Sequence, residues 1–283
     1  MQFVRYTHAG SNPQWGVVED GDVYSLSDLP AGEPDYGDIA NPSYRDDVRG
    51  RVETGGLSTV PETDVRHLAP VPEPGKIVCV GLNYRDHAEE QDEEIPERPL
   101  LFGKAPTAVT NPADPIYHPE NIEQVDYEVE LGVVIGETAN NVSANEADDY
   151  IAGYTAINDV SGRDAQFEDE QFLRGKSYDT FAPMGPRLVA GDDFDPNNVD
   201  VACRVNGETK QDSNTDQFIF DVYELVEYIS NAMTLRPGDV ISTGTPGGVG
   251  VFMEPPELLE PGDEVDVEIE GIGTLTNPVV EEP

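Results

Sequence analysis

The chain has 283 residues and a formal net charge of -41 at pH 7, from 57 acidic against 16 basic side chains. That balance excludes nucleic acid and anionic membrane surfaces as partners, because every phosphate would meet the repulsive field of the whole protein. With 37% hydrophobic residues, the chain is either disordered or folded under a solvating acidic coat. Acids interleaved with apolar runs at 76–80, 131–135 and 240–243 favour a folded, salt-adapted protein.

Length admits one large domain with a small appendage. Residues 1–68 alternate strand-like pieces at 3–6, 15–18 and 22–25 with turns rich in Gly, Pro and Asp, which predicts a small β-rich N-terminal domain. Residues 69–75 carry alternating prolines and read as a stiff extended linker. The larger segment, 76–283, is strand-rich, with candidates at 128–135, 201–205, 240–243 and 265–269. The last alternates strictly, Val265, Val267 and Ile269 against Asp266, Glu268 and Glu270, as a half-buried strand does. Helical signals are few. Residues 84–90 make a short exposed helix, Ser143 with Glu146 forms a capping box, and Asp221 with Glu224 opens a helix carrying Val222, Leu225, Val226 and Ile229. The expected class is mixed and β-rich (α+β).

Cys79 and Cys203 are too few and too far apart for a disulfide framework and read as buried fillers. No apolar run approaches the ~20 residues needed to cross a bilayer, and no signal core opens the chain, so the expected location is cytoplasmic. Among the basic residues only Lys76, Lys104, Lys176 and Lys210 are lysines. A composition that has shed nearly all lysines suggests a use for those it keeps, with Lys210, in a polar stretch, read as incidental.

The most informative stretch runs from Asp126 through Glu128 and Glu130 into the apolar run 131–135. Residues two apart on a strand point the same way, so Glu128 and Glu130 project side by side at the mouth of a buried strand. Like charges so placed repel, and a divalent cation with hard oxygen ligands (Mg²⁺, Mn²⁺ or Ca²⁺) relieves them. Taken alone, the pair reads equally well as a solvated strand end. Asp159 is a third carboxylate at a polar turn, where site residues and plain turn-formers both occur.

Several other motifs fail on spacing. Arg174-Gly175-Lys176-Ser177 resembles the end of a phosphate-binding loop, but Glu170 stands where that loop needs Gly. Asp193, Asp195 and Asn197 start a calcium-loop pattern that Asn198 and Arg204 break. The Gly-rich stretch from Thr243 to Gly250 lacks dinucleotide spacing, and reads as a turn whose backbone amides approach a small anionic ligand. His87 and Glu90, three apart, share one face of a helical turn, so the carboxylate is placed to hold and polarise the imidazole.

Taken in order, these stretches resemble the fumarylacetoacetate hydrolase family. They are Val80-Gly-Leu-Asn-Tyr84 with His87 and Glu90, Phe102-Gly-Lys104, Asp126-Tyr-Glu128-Val-Glu130, Asn158-Asp159-Val-Ser-Gly-Arg163, Gly175-Lys176, and Thr243-Gly-Thr245 through Gly250. The resemblance spans about residues 76–270. It implies a twisted β-roll catalytic domain, usually dimeric, preceded by a small domain. It also implies Mg²⁺ or Mn²⁺ on Glu128, Glu130 and Asp159, and a His87–Glu90 dyad on a lid that orders over ligand. Lys176 would face the substrate oxygens, and Arg163, Gln166 and Thr245 would line the pocket. The implied reaction is metal-dependent hydrolysis of a C–C bond in an acylpyruvate-like 1,3-diketo acid, a small anionic 2-oxo acid, through a water activated by the dyad and an enolate leaving group. Isomerisation of 2-hydroxyhepta-2,4-diene-1,7-dioate and decarboxylation of 2-oxo acids are the alternatives within the family, and a non-catalytic binding protein would leave the dyad and Lys176 unexplained.

Overall fold

Short apolar pieces broken by turns give an antiparallel meander in the computed structural model, which describes residues 1–191 and 194–283. Asp193 of the broken calcium-loop pattern lies outside the described residues. The meander is built from β1 (Gln2–Thr7), β2 (Gln14–Glu19), β3 (Asp22–Ser25) and β4 (Thr59–Pro61), with β5 (Arg66–Leu68) paired to β1. Helices α1 (Tyr36–Ala40) and α2 (Pro42–Glu53) intervene. Each begins on a capping side chain: Asp35 accepts from the Asp38 amide, and Asn41 from the Ser43 amide just ahead of a first-turn proline, two preferred ways of satisfying orphan helix donors.

The meander does not stop at its own edge. β1 pairs with β14 (Ala182–Val189), setting Gln2 opposite Val189 and Phe3 opposite Leu188. The sheet continues through β12 (Ile151–Asn158), β11 (Val129–Ile135), β17 (Val240–Ser242), β6 (Ile77–Gly81) and β7 (Leu100–Lys104). The proline segment 69–75 is packed and not free: Ala69 and Val71 are buried, and the Pro70 carbonyl accepts from the Tyr36 hydroxyl at 3.0 Å.

Both β11 and β12 are buried along their whole length. Their near-continuous apolar runs reflect cover on both faces, as for a central strand in a mixed sheet. The pair β17–β6 is parallel, and β8 (Val109–Thr110) adds a second parallel pairing on β14. A separate sheet follows the order β16 (Glu208–Asn214), β15 (Asp200–Val205), β18 (Glu264–Ile269), β19 (Gly273–Glu281), β9 (Ile116–His118). In β18, Val265, Val267 and Ile269 are buried while the acids between them are not, as alternation predicts. A short ladder joins β10 (Val125–Asp126) to β13 (Ser161–Gly162).

The remaining helices are α3 (Arg85–Glu90), α4 (Arg163–Asp169), α5 (Leu173–Lys176) and α6 (Val222–Ala232). The predicted box is present on α6, where Asp221 accepts from the Glu224 amide at 2.8 Å and Glu224 from the Asp221 amide at 3.0 Å. Its apolar stripe Val222, Leu225, Val226 and Ile229 is buried. Two helix expectations change. Ser143 bonds the Glu146 side chain but caps no backbone amide, and residues 144–150 form only 3₁₀ turns. The helix expected to be exposed, α3, buries His87 and Ala88, because it lies against a cavity. The architecture is the expected β-rich α+β fold with few helices.

Candidate active site

Three carboxylates meet because of strand register. β11 and β12 run antiparallel with Val129 opposite Asn158, so the residue before one strand faces the residue after the other. The Asp159 amide donates to the Glu128 carbonyl at 2.9 Å, and Glu128, Glu130 and Asp159 each present an oxygen within 4.8 Å of the others. All are buried, with 6%, 1% and 0% of their surface exposed.

Three buried cations answer this charge. Lys176, at the end of α5, donates to Glu128 Oε2 and to Asp159 Oδ2, both at 2.8 Å. Lys104, at the end of β7, donates to Asp159 Oδ1 at 2.5 Å and to the Val160 carbonyl at 3.0 Å. Arg163, opening α4, donates to Asp126 at 2.9 Å, to Glu128 at 2.7 Å and to the Gln166 side-chain carbonyl at 2.8 Å. Burial alone would raise the Glu128 carboxyl, but the Lys176 and Arg163 charges overcome it and draw it down to about 2. Lys176 is likewise penalised by burial, yet Asp159 and Glu128 hold it above the ordinary lysine value. For Lys104 burial wins and the value falls, with Asp159 offsetting part of the loss and Lys176 adding repulsion.

Glu130 has no such partner. Ser242 Oγ and the Gly244 amide donate to its Oε2 at 2.5 and 3.0 Å, and among the described residues no cation forms a salt bridge with it. Burial, then Asp159 and Glu128, push its carboxyl well above the usual range. The cluster thus offers oxygens alone, and among the described residues those of Glu130 meet hydrogen-bond donors but no ion-pair partner. That donor set fits a hard divalent cation, and Glu128, Glu130 and Asp159 are the residues that could hold it.

The dyad opens onto the same space. His87 Nδ1 lies 2.9 Å from Glu90 Oε2, and His87 Nε2 lies 2.8 Å from the Gln91 side-chain nitrogen. A carboxylate accepts only, so Glu90 fixes the ring proton on Nδ1 and leaves Nε2 as an acceptor for the Gln91 amide. Glu90 is itself held by the Gly248 amide at 2.8 Å. His87, Glu128, Glu130, Arg163, Lys176 and Thr245 line one cavity of about 330 Å³, which Gln166 also borders. Asp159 stands behind this wall. Thr245 Oγ1 accepts from Gln211 at 2.9 Å, and Gln211 in turn accepts from the Val129 amide at 2.9 Å, so the turn after β17 is tied to the start of β11.

The Gly-rich turn behaves differently from expectation. Its amides are taken by the protein's own carboxylates: Gly244 by Glu130, Gly248 by Glu90, and Gly250 and Val251 by Asp126, each bond being 2.8–3.0 Å long. A Cβ on Gly250 would stand 2.6 Å from Asp126 Oδ1, so the glycine permits that approach. The turn clamps site carboxylates in place and has no free cradle for a ligand at these amides.

Sequence reasoning passed over Asp126 and Lys104 as site residues. Both stood in quoted motifs, and the scarcity of lysine marked Lys104. Asn83 was also passed over; it bridges the β6 turn to the β17 turn by donating to the Thr243 carbonyl at 2.8 Å. Lys76 meets the buried Asp239 in an ion pair, whereas Lys210 pairs with Glu257 on an exposed edge.

The family model described as fumarylacetoacetate (FAA) hydrolase C-terminal matches residues 76–280. A mitochondrial oxaloacetate tautomerase of Bos taurus is 48% identical over 227 residues, covering 79% of this chain and 72% of its own. An uncharacterized protein of Methanocaldococcus jannaschii is 55% identical over 209 residues, 74% of this chain and 84% of its own. Among solved structures, a fumarylacetoacetate hydrolase from Exiguobacterium antarcticum aligns with a TM-score of 0.87 at 41% identity over 100% of both chains. A 2-hydroxyhepta-2,4-diene-1,7-dioate isomerase from Mycobacterium marinum aligns at 0.80 and 38%, over 100% of this chain and 99% of that one. With its ordered motifs gathered around one buried carboxylate cluster, this chain belongs to the fumarylacetoacetate hydrolase family of enzymes.

Proposed function

We propose that this enzyme catalyses keto–enol proton transfer on a small 2-oxo acid such as oxaloacetate, with Mg²⁺ or Mn²⁺ as its metal. The observation that carries the reading is the His87–Glu90 dyad opening onto the same cavity as Glu128, Glu130 and Lys176. The similarity to oxaloacetate tautomerases supports the choice of reaction. Lys176 and Arg163 supply positive charge at the inner end, where the substrate carboxylate and 2-oxo oxygen are drawn. A divalent ion on Glu128, Glu130 and Asp159 would supply Lewis-acid polarisation of the 2-oxo group when bound. His87 Nε2, freed when substrate displaces the Gln91 amide, removes a proton from C3 of the keto form, and the resulting imidazolium gives that proton up as the 2-oxo oxygen takes one on to complete the enol. The reverse direction runs the same transfers backwards. Glu90 keeps the opposite ring nitrogen protonated and steadies the imidazolium that forms. Lys176 stabilises the charge left on the 2-oxo oxygen.

A second reading is favoured by the same dyad: hydrolysis of an acylpyruvate, with a water molecule in place of the C–H bond as the proton source for His87. The two readings separate in one assay. The enol form of oxaloacetate and acetylpyruvate are each supplied with Mg²⁺ and with EDTA in molar KCl, while enol absorbance and products are followed. Metal-dependent loss of the oxaloacetate enol without release of pyruvate supports tautomerisation. Release of acetate and pyruvate from acetylpyruvate, with no effect on oxaloacetate, overturns it in favour of hydrolysis.

A further inference from the structure

The cavity has two chemically different ends. At the inner end Glu128, Glu130, Arg163, Lys176 and His87 are all buried. The lining also carries Leu82, Phe102, Phe167, Phe172 and Phe252. The Phe102 ring lies 5.3 Å from Lys176 Nζ and so begins the apolar part at the inner end, while Phe167 is 55% and Phe252 39% exposed. The rings are arranged as a wall. Phe102 meets Phe172 edge-on at 5.3 Å between centroids, and Phe252 stands 6.0 Å from the His87 ring. Among the described lining residues the lysine and arginine, Lys176 and Arg163, belong to the inner end. The charge near the mouth is Glu93, an exposed carboxylate. Leu82 also stands in this lining. It sits at φ 51°, a left-handed conformation that Gly or Asn adopts more readily than a bulky apolar residue.

We infer that the outer half of the cavity is a subsite for an uncharged, apolar substituent. The preferred ligands are then 2-oxo acids with one carboxylate head and an apolar, best aromatic, tail. The assignment of the head to the inner end rests on the function proposed above. An aromatic tail would exchange water for the Phe102, Phe172 and Phe252 faces. The second carboxylate of a longer diacid would instead lose hydration against those rings and face the like charge of Glu93. A four-carbon diacid such as oxaloacetate escapes this penalty, because both its carboxylates stay near Lys176 and Arg163.

The test is a binding measurement that needs no turnover. Titration calorimetry with the Mg²⁺-loaded protein in molar KCl compares 2-oxo-4-phenylbutanoate with 2-oxoadipate. The phenyl compound is expected to bind at least about tenfold tighter, the scale of discrimination that pocket contacts of this size give. Glu93→Arg should raise the affinity for 2-oxoadipate several-fold, and Leu82→Asn should weaken the phenyl compound with little effect on 2-oxoadipate. Binding of 2-oxoadipate as tight as the phenyl compound, or no binding of either, overturns the subsite. So does a Glu93→Arg protein that gains nothing for 2-oxoadipate. The proposed reaction fails separately: a protein that discriminates the two ligands yet leaves the oxaloacetate enol untouched keeps the subsite and loses the tautomerase reading.

Discussion

The Lys104 ammonium donates to Asp159 Oδ1 at 2.5 Å, with both side chains wholly withdrawn from solvent. Such a pair contributes little beyond what two apolar residues would, yet breaking it strands a charge. Lys104→Met leaves Asp159 with Lys176 as its remaining ion-pair partner, so the expected cost lies below the roughly 3–5 kcal/mol of stranding a buried charge completely, measured by urea unfolding in EDTA. Adding Asp159→Asn to that variant should recover part of the loss. A double variant no more stable than Lys104→Met would show that packing, and not charge, is responsible.

His87→Asn should reduce turnover by about 10²–10⁴-fold, the usual contribution of a positioned proton-transfer group. Metal affinity by calorimetry should be nearly unchanged, because the imidazole is bonded to Glu90 and Gln91 and to none of the three clustered carboxylates. Loss of metal binding in this variant would sink the division of labour between dyad and cluster.

Removing divalent metal should lower stability as well as activity. At a hundred times its dissociation constant a ligand adds about 2.7 kcal/mol to the folded state. Glu130→Gln should abolish that metal-dependent shift in the melting temperature. In EDTA the variant should be no less stable than the parent, because burial and two neighbouring carboxylates already disfavour the charged form of Glu130. A fall in stability in EDTA would contradict this.

His67 gives a pH signature outside the site. Burial, the largest influence, lowers its value below the ordinary 6.5; the Arg187 charge adds to this and Glu62 opposes it. The unfolded chain then binds the proton first, so the contribution is fully present above about pH 6.5 and is lost as pH falls through the lower folded value. His67→Gln should flatten the fall in melting temperature between pH 7 and 5 relative to the parent. An identical profile would mean that His67 titrates freely.

The acidic surface predicts that molar KCl raises both melting temperature and catalytic efficiency. Repulsion among exposed charges is screened once the Debye length falls to about 3 Å near 1 M salt, while the buried ion pairs are screened far less. Equal stability and activity in dilute buffer would exclude this.

The carboxylate cluster was legible because it rests on local rules. Glu128 and Glu130 are two apart on one strand, and His87 and Glu90 are three apart on one helix turn. The resemblance named Asp159 with them, but residue types alone do not bring it there; the β11–β12 register does. Burial of α3 was missed because nothing in residues 85–90 announces the cavity against which the helix lies. The turn from Thr243 to Gly250 was read as amides open to a small anionic ligand, but the anions they meet are Glu130, Glu90 and Asp126, partners more than a hundred positions away in the chain. The alternating prolines of 69–75 suggested separation; their burial depends on Tyr36 and on the strand pairing that follows.

That pairing has a consequence for modularity. Because β1 completes its ladder on β14, the leading segment is one border of a shared fabric and not a cassette bolted beside it. Cutting the chain at residue 75 would uncover a raw selvedge along β14, with amides and carbonyls ready to stitch to the next molecule. Grafting a foreign leader would first require matching that border, residue by residue, to Val189 and Leu188.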